Sequence, residues 1–151
     1  MIDYFDASAV AAMLLNERSS QGVVSVMNET DRDVVVSAFC IAEVSSAISR
    51  LLRMKSHSRE QAERLLSLLD RWTDVVSELT EIESADFSRA TELVRTFDLK
   101  LRAPDALHLA VVERLDARLI TLDRNLATAA RAVGVETHNP AEAEAPGEPK
   151  D

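Results

Sequence analysis

"DVVVS", residues 33–37, is the stretch whose reading decides the fold. Three valines stand side by side with no polar residue between them. A strand with one wet face alternates, so an unbroken β-branched run reads as a strand covered on both faces, as in a parallel sheet between helices. A long helical pattern, "FCIAEVSSAISRLLRM" (39–54), follows at once. Strand then helix is the unit, and the rest of the chain repeats it.

Working outward, "MIDYF" (1–5) is a short apolar opening strand, followed by helical "SAVAAMLLNE" (8–17) and "SSQGVVSVMNE" (19–29). Ser58 with Gln61 forms a capping-box signature for a helix reaching about Trp72. "DVVSEL" (74–79) is the expected third strand, and Thr80 with Glu83 a second capping box before "SADFSRATELVRTF" (84–97). Pro104 suits the first turn of a helix running to about Leu115. "ARLITL" (117–122) is a strand, "DRNLATAARAVG" (123–134) a helix ending at Gly134, and "VETHN" (135–139) a last short strand. This alternation predicts a three-layer α/β/α fold with a mainly parallel central sheet.

A chain of 151 residues, 46% hydrophobic and 28% charged, suits one domain with one core. Residues 1–139 are expected to form that domain. Residues 140–151, "PAEAEAPGEPKD", lack large apolar groups and read as a disordered acidic tail. That tail carries −3 of the net charge of −9, leaving −6 for the domain. No apolar run spans a bilayer and no leader pattern opens the chain, so a cytoplasmic, membrane-free protein is expected. Cys40 is the only cysteine, and His57, His108 and His138 lack metal-ligand spacing, which argues against a structural zinc site. With three glycines and no GxGxxG or Walker-type loop, a nucleotide fold that needs a glycine cradle is weakly supported.

Four acids stand in telling places. Asp6 follows the first strand, Asp123 follows "ARLITL", and Asp105 opens the Pro104 helix. Each alone reads equally as a helix cap or first-turn acid. Glu43 admits no capping role, because it lies inside the helix after "DVVVS", among small residues; a solvated position or an ion pair with Arg50 is its plain alternative. In a parallel α/β sheet, functional groups gather beyond the carboxyl ends of the strands. Four carboxylates gathered there repel one another and call for a cation. Mg2+ or Mn2+, which prefer oxygen ligands and keep several waters, fit such a set and would serve phosphodiester hydrolysis.

"YFDASAV" (4–10), "AEVSSAI" (42–48), "LRAPDALHLAVV" (101–112) and "LITLDRNLA" (119–127), in that order, resemble the PIN-domain family, and within it the VapC toxins of toxin–antitoxin pairs. The resemblance spans residues 1 to about 140. It implies that Asp6, Glu43 and Asp105 form an acidic metal site with Asp123 as fourth acid, all four serving catalysis. Ser8 resembles the hydroxyl that bonds within the acid cluster, and Thr121 is placed to do likewise; an ordinary turn hydroxyl is the alternative for both. The activity implied is a Mg2+- or Mn2+-dependent endoribonuclease that cleaves cellular RNA, acts as a homodimer and is neutralised by a VapB-type antitoxin. Lys100, Arg102 and Arg124 flank the acids and are candidate RNA contacts, or else solvated surface charges. Aromatics are only 4%, so base stacking is scarce and recognition falls to backbone shape. His108 reads as a core or supporting histidine, and Asp3 as an edge or rim acid. Two rivals remain. An aspartyl phosphatase wants a second acid two residues after Asp6, where Ser8 stands, and a non-catalytic PIN-like binding module predicts loss of an acid.

Overall fold

The structure, a computed structural model of the chain, describes residues 1–142. Five strands, β1 (Ile2–Phe5), β2 (Asp33–Ser37), β3 (Glu78–Thr80), β4 (Arg118–Ile120) and β5 (Thr137–His138), form one sheet. Their order is β3-β2-β1-β4-β5 and every pairing is parallel, so the sheet is parallel throughout. Seven helices connect and flank them: α1 (Ala7–Leu14), α2 (Ser20–Glu29), α3 (Ala38–Arg53), α4 (Arg59–Val76), α5 (Ser84–Arg95), α6 (Ala103–Leu115) and α7 (Arg124–Ala132). The predicted three-layer α/β/α architecture is the one observed.

Strand periodicity assigns the layers. Tyr4, Val35 and Leu119 point to one face, where they meet α5, α6 and α7. Their neighbours Phe5, Val36 and Ile120 point to the other, against α1 to α4. Consecutive residues on opposite faces are both buried, which is why "DVVVS" shows no alternation. Helix α6 is buried from Ala106 through Val112 without interruption, so it lies in the core rather than on it. Two ion pairs fasten α5 over it, Arg89 with Glu113 and Arg114 with Asp86.

Three local expectations need correction. "DVVSEL" is not a strand throughout: α4 continues to Val76, and β3 starts only at Glu78. The apolar face of α4, with Ala62, Leu69 and Trp72 buried, carries the helix past the β-branched pair. Thr80 ends β3 rather than capping α5; the cap is Glu83, whose backbone N–H donates to Asp86 Oδ2 at 2.8 Å. Asp3 is no rim group either. It is wholly buried in central strand β1, with the Arg118 guanidinium donating to both its oxygens at 2.8 and 2.7 Å. Thr30 donates to it at 2.7 Å and Arg32 stands 3.7 Å away.

The Ser58–Gln61 capping box forms as read, and Gly134 takes the left-handed turn (φ 84°) just beyond α7. The start of the tail packs on the domain. Pro140 lies against Gly22, where an added Cβ would meet the Pro140 carbonyl at 2.9 Å, and Glu142 pairs with Arg131 at 2.9 Å. The rest of the expected disordered tail, 143–151, lies outside the described residues. Among the described residues no helix is long and apolar enough to cross a membrane.

Candidate active site

Beyond the carboxyl ends of β1 and β4, two strand-to-helix junctions are stitched together by hydroxyls. Asp6 caps α1, and its Oδ1 accepts from Ala9 N–H at 3.0 Å and from Ser8 Oγ at 2.7 Å. Thr121, the residue after β4, donates to Asp6 Oδ2 and accepts from Asp123 N–H at 3.0 Å. Ser8 Oγ in turn accepts from Leu122 N–H at 3.0 Å. Asp123 caps α7 through Leu126 N–H at 2.9 Å. Capping and site membership are therefore compatible: one carboxylate lone pair serves the helix and others remain.

Asp105 sits in the first turn of α6, half-buried. Burial, then the carboxylates of Asp123, Asp6 and Glu43, push its pKa up to about 6, with His108 opposing. Asp6 is also raised, by burial first, against the opposing effects of His108 and the hydrogen bonds from Ser8, Thr121 and Ala9. Asp105 thus feels all three other acids, which is electrostatic evidence that the four share one neighbourhood. Among the described residues, no Lys or Arg forms an ion pair with Asp6, Asp105 or Asp123.

Glu43 is 28% exposed on α3, and its partner is not Arg50 but His108, whose Nε2 meets Glu43 Oε2. His108 is buried on α6, one turn beyond Asp105, and its Nδ1 lies 2.7 Å from the Tyr4 hydroxyl. Tyr4 donates to Ser37 Oγ at 2.8 Å, and Ser37 Oγ caps α3 by accepting from Cys40 N–H at 3.0 Å. Tyr4 and Ser37 were not singled out from sequence. A tyrosine in a strand buried on both faces needs a partner for its hydroxyl, and that was the available signal.

The donor set suits a hard divalent cation: every candidate ligand is a carboxylate oxygen, and among the described residues no Lys or Arg pairs with Asp105. The cage is not ready-made, since among the described residues no three His, Cys, Asp or Glu groups converge closely enough to hold a metal. Lys100, Arg102 and Arg124 are exposed at the ends of the loops leading into α6 and α7. Asn125 Nδ2 holds the Lys100 carbonyl at 2.8 Å, tying the first of these loops to the second. An apolar groove of about 450 Å³ runs between α5 and α6, lined by Phe39, Phe87, Ala90, Val94, Pro104 and Leu107.

A parallel three-layer domain with acids at the carboxyl edge of its sheet is the class that fold and site define. Residues 4–132 match the PIN domain model, and the chain belongs to that family. No curated protein matches it. Among solved structures it is similar to FitAcB from Neisseria gonorrhoeae (TM-score 0.73, 19% identity, covering 93% of this chain and 98% of that one). It is similar also to VapBC2 from Rickettsia felis bound to a promoter DNA fragment (0.66, 16%, 92% and 98%). A third likeness is to Mycobacterium tuberculosis VapC20, a toxin that cleaves the sarcin–ricin loop (0.66, 18%, 88% and 95%).

Proposed function

We propose that this PIN domain is a Mg2+- or Mn2+-dependent endoribonuclease toxin of the VapC kind, working in the cytoplasm as a homodimer and held in check by a small VapB-type antitoxin. One observation carries the reading: four acids share a neighbourhood in which, among the described residues, Asp6, Asp105 and Asp123 pair with no Lys or Arg. The similarity to toxin–antitoxin proteins, one of them named as a toxin that cleaves the sarcin–ricin loop, supports RNA as the substrate class.

Asp6, Glu43, Asp105 and Asp123 would hold the ion. When bound, it supplies Lewis acidity toward a phosphodiester and a water of lowered pKa. The remaining chemistry belongs to the chain. Ser8 and Thr121 fix the Asp6 carboxylate so that it meets a cation without reorganising. Lys100, Arg102 and Arg124 grip the phosphates on either side of the cut, which offsets the overall negative charge locally. The same unneutralised acids attract a guanidinium, so the antitoxin is expected to block the site with an Arg or Lys.

The test is cleavage of labelled RNA by the purified chain with Mn2+, against Asp6→Asn, Glu43→Gln and Asp105→Asn. Each variant keeps shape and loses one ligand charge, so activity should fall on the order of 100-fold or more, as when a fixed electrostatic group is removed from a site. Equal cleavage by all three, with unchanged circular dichroism, contradicts the assignment. A wild type that binds RNA without cutting it leaves the PIN-like binding module.

A further inference from the structure

We infer that His108, anchored by Tyr4 and Ser37, is the positioning residue that delivers the Glu43 carboxylate to the acidic pocket. The inference rests on the metal-site reading above and extends it to residues outside the acid set. Glu43 is the one of the four acids beyond the first turn of its helix; the other three stand at helix mouths, Asp6 and Asp123 holding cap hydrogen bonds and Asp105 in the first turn of α6. Something else must fix its side chain, because an unrestrained glutamate loses rotamer freedom on binding a cation.

The structure supplies that restraint as a chain of three buried side chains, Ser37, Tyr4 and His108, that ends on Glu43. Ser37 Oγ accepts from Cys40 N–H (3.0 Å) and from the Tyr4 hydroxyl (2.8 Å). The same hydroxyl stands 2.7 Å from His108 Nδ1, and His108 Nε2 faces Glu43 Oε2. With Nδ1 held by Tyr4, Nε2 is the ring nitrogen left to meet the carboxylate. Phe39 also packs against the buried imidazole, its ring centre 5.3 Å away.

The chain also joins the elements that carry the acids. Tyr4 lies in β1 two residues before Asp6, and His108 lies one turn beyond Asp105 in α6. Ser37 caps the helix that bears Glu43. Because Tyr4 holds the His108 ring, the register of α3 against α6 sets where Glu43 ends. A group one layer behind a ligand that orients it is worth about 10- to 100-fold in metal affinity.

Mn2+ affinity by calorimetry tests this without reference to RNA cleavage. His108→Leu should weaken Mn2+ binding at least tenfold, and Tyr4→Phe, which removes one oxygen and keeps the packing, about threefold. His108→Gln, which can place an amide N–H near the Nε2 position, should recover most of the affinity. In the RNase assay kcat should fall while KM for RNA stays within about twofold. The decisive comparison is a double-mutant cycle: in Glu43→Gln, adding His108→Leu should cost almost nothing further, since the histidine then has no ligand to position. Additive losses overturn the inference, as does wild-type affinity in Tyr4→Phe and His108→Leu together. A wild type that binds no Mn2+ removes the metal site itself, and this inference with it, whereas wild-type binding with indifferent variants removes this inference alone.

Discussion

Asp3 and Asp6 stand three residues apart at the two ends of β1, both buried, and their surroundings differ in one respect. Asp3, at the amino end, is met by Arg118 on both oxygens and by Arg32 and Thr30. Asp6, beyond the carboxyl end, is met by two hydroxyls and one backbone N–H. A buried carboxylate is expensive without a compensating charge, and the fold supplies that charge at one end only. Asp86, also buried, follows the Asp3 pattern through Arg114 at 2.9 Å. Structural acids of this protein bring their own arginines. Among the described residues the acids at the carboxyl edge do not, and on the proposed function that difference separates an acid kept for stability from one kept for a visiting cation.

The largest effect expected from this contrast is on stability. Asp3→Asn should destabilise the fold by about 3 kcal/mol, the lower end for breaking a buried pair, because Arg32 and Arg118 keep some contact with water. Urea denaturation would show it, while cleavage per folded molecule should be unchanged. A loss of activity with full stability would reverse the roles assigned to the two ends of the strand.

Next in size is a pH effect. Asp105 holds its proton up to a pKa of about 6, against an ordinary 3.8, so the folded state binds that proton more tightly than the unfolded chain does. The resulting stabilisation is complete below about pH 3.8 and is lost as pH rises through 6. After allowance for its partial exposure to solvent, about 1 kcal/mol is expected, or roughly 2–4 °C in melting temperature. Asp105→Asn should flatten this part of the profile and melt higher than wild type above pH 6 without added metal. An identical slope in the two proteins would mean that neither burial nor the neighbouring acids hold the proton on Asp105.

The smallest effect concerns the exposed cations. Arg124→Ala or Lys100→Ala should raise KM for RNA about two- to fivefold, the size of one exposed ion pair, and leave kcat alone. A change in kcat instead would place that side chain at the reacting phosphate.

The sequence made the architecture legible where burial was two-sided. "DVVVS" and "ARLITL" declare themselves because strands covered on both faces need apolar residues at every position. β3 was blurred because it is an edge strand of three residues with Glu78 and Leu79 exposed, so its boundary with α4 rests on packing of Trp72 and Leu69 rather than on local pattern. The three acids at helix mouths were visible from their position after a strand or a Pro. The partners were not. His108 lies 65 residues from Glu43, and Arg118 lies 115 from Asp3, and nothing in local spacing announces either contact. Asp3 was misjudged for that reason: a charged residue in a strand reads as an edge until its arginine is seen.

The most direct test is a calorimetric Mn2+ titration of the wild type, Asp3→Asn and Asp6→Asn at neutral pH, each checked for folding. The wild type and Asp3→Asn should bind Mn2+ with the same affinity, and Asp6→Asn at least tenfold more weakly. Equal binding by all three, or a loss in Asp3→Asn that matches the loss in Asp6→Asn, would contradict the claim that only the carboxyl-edge acids are held open for a cation.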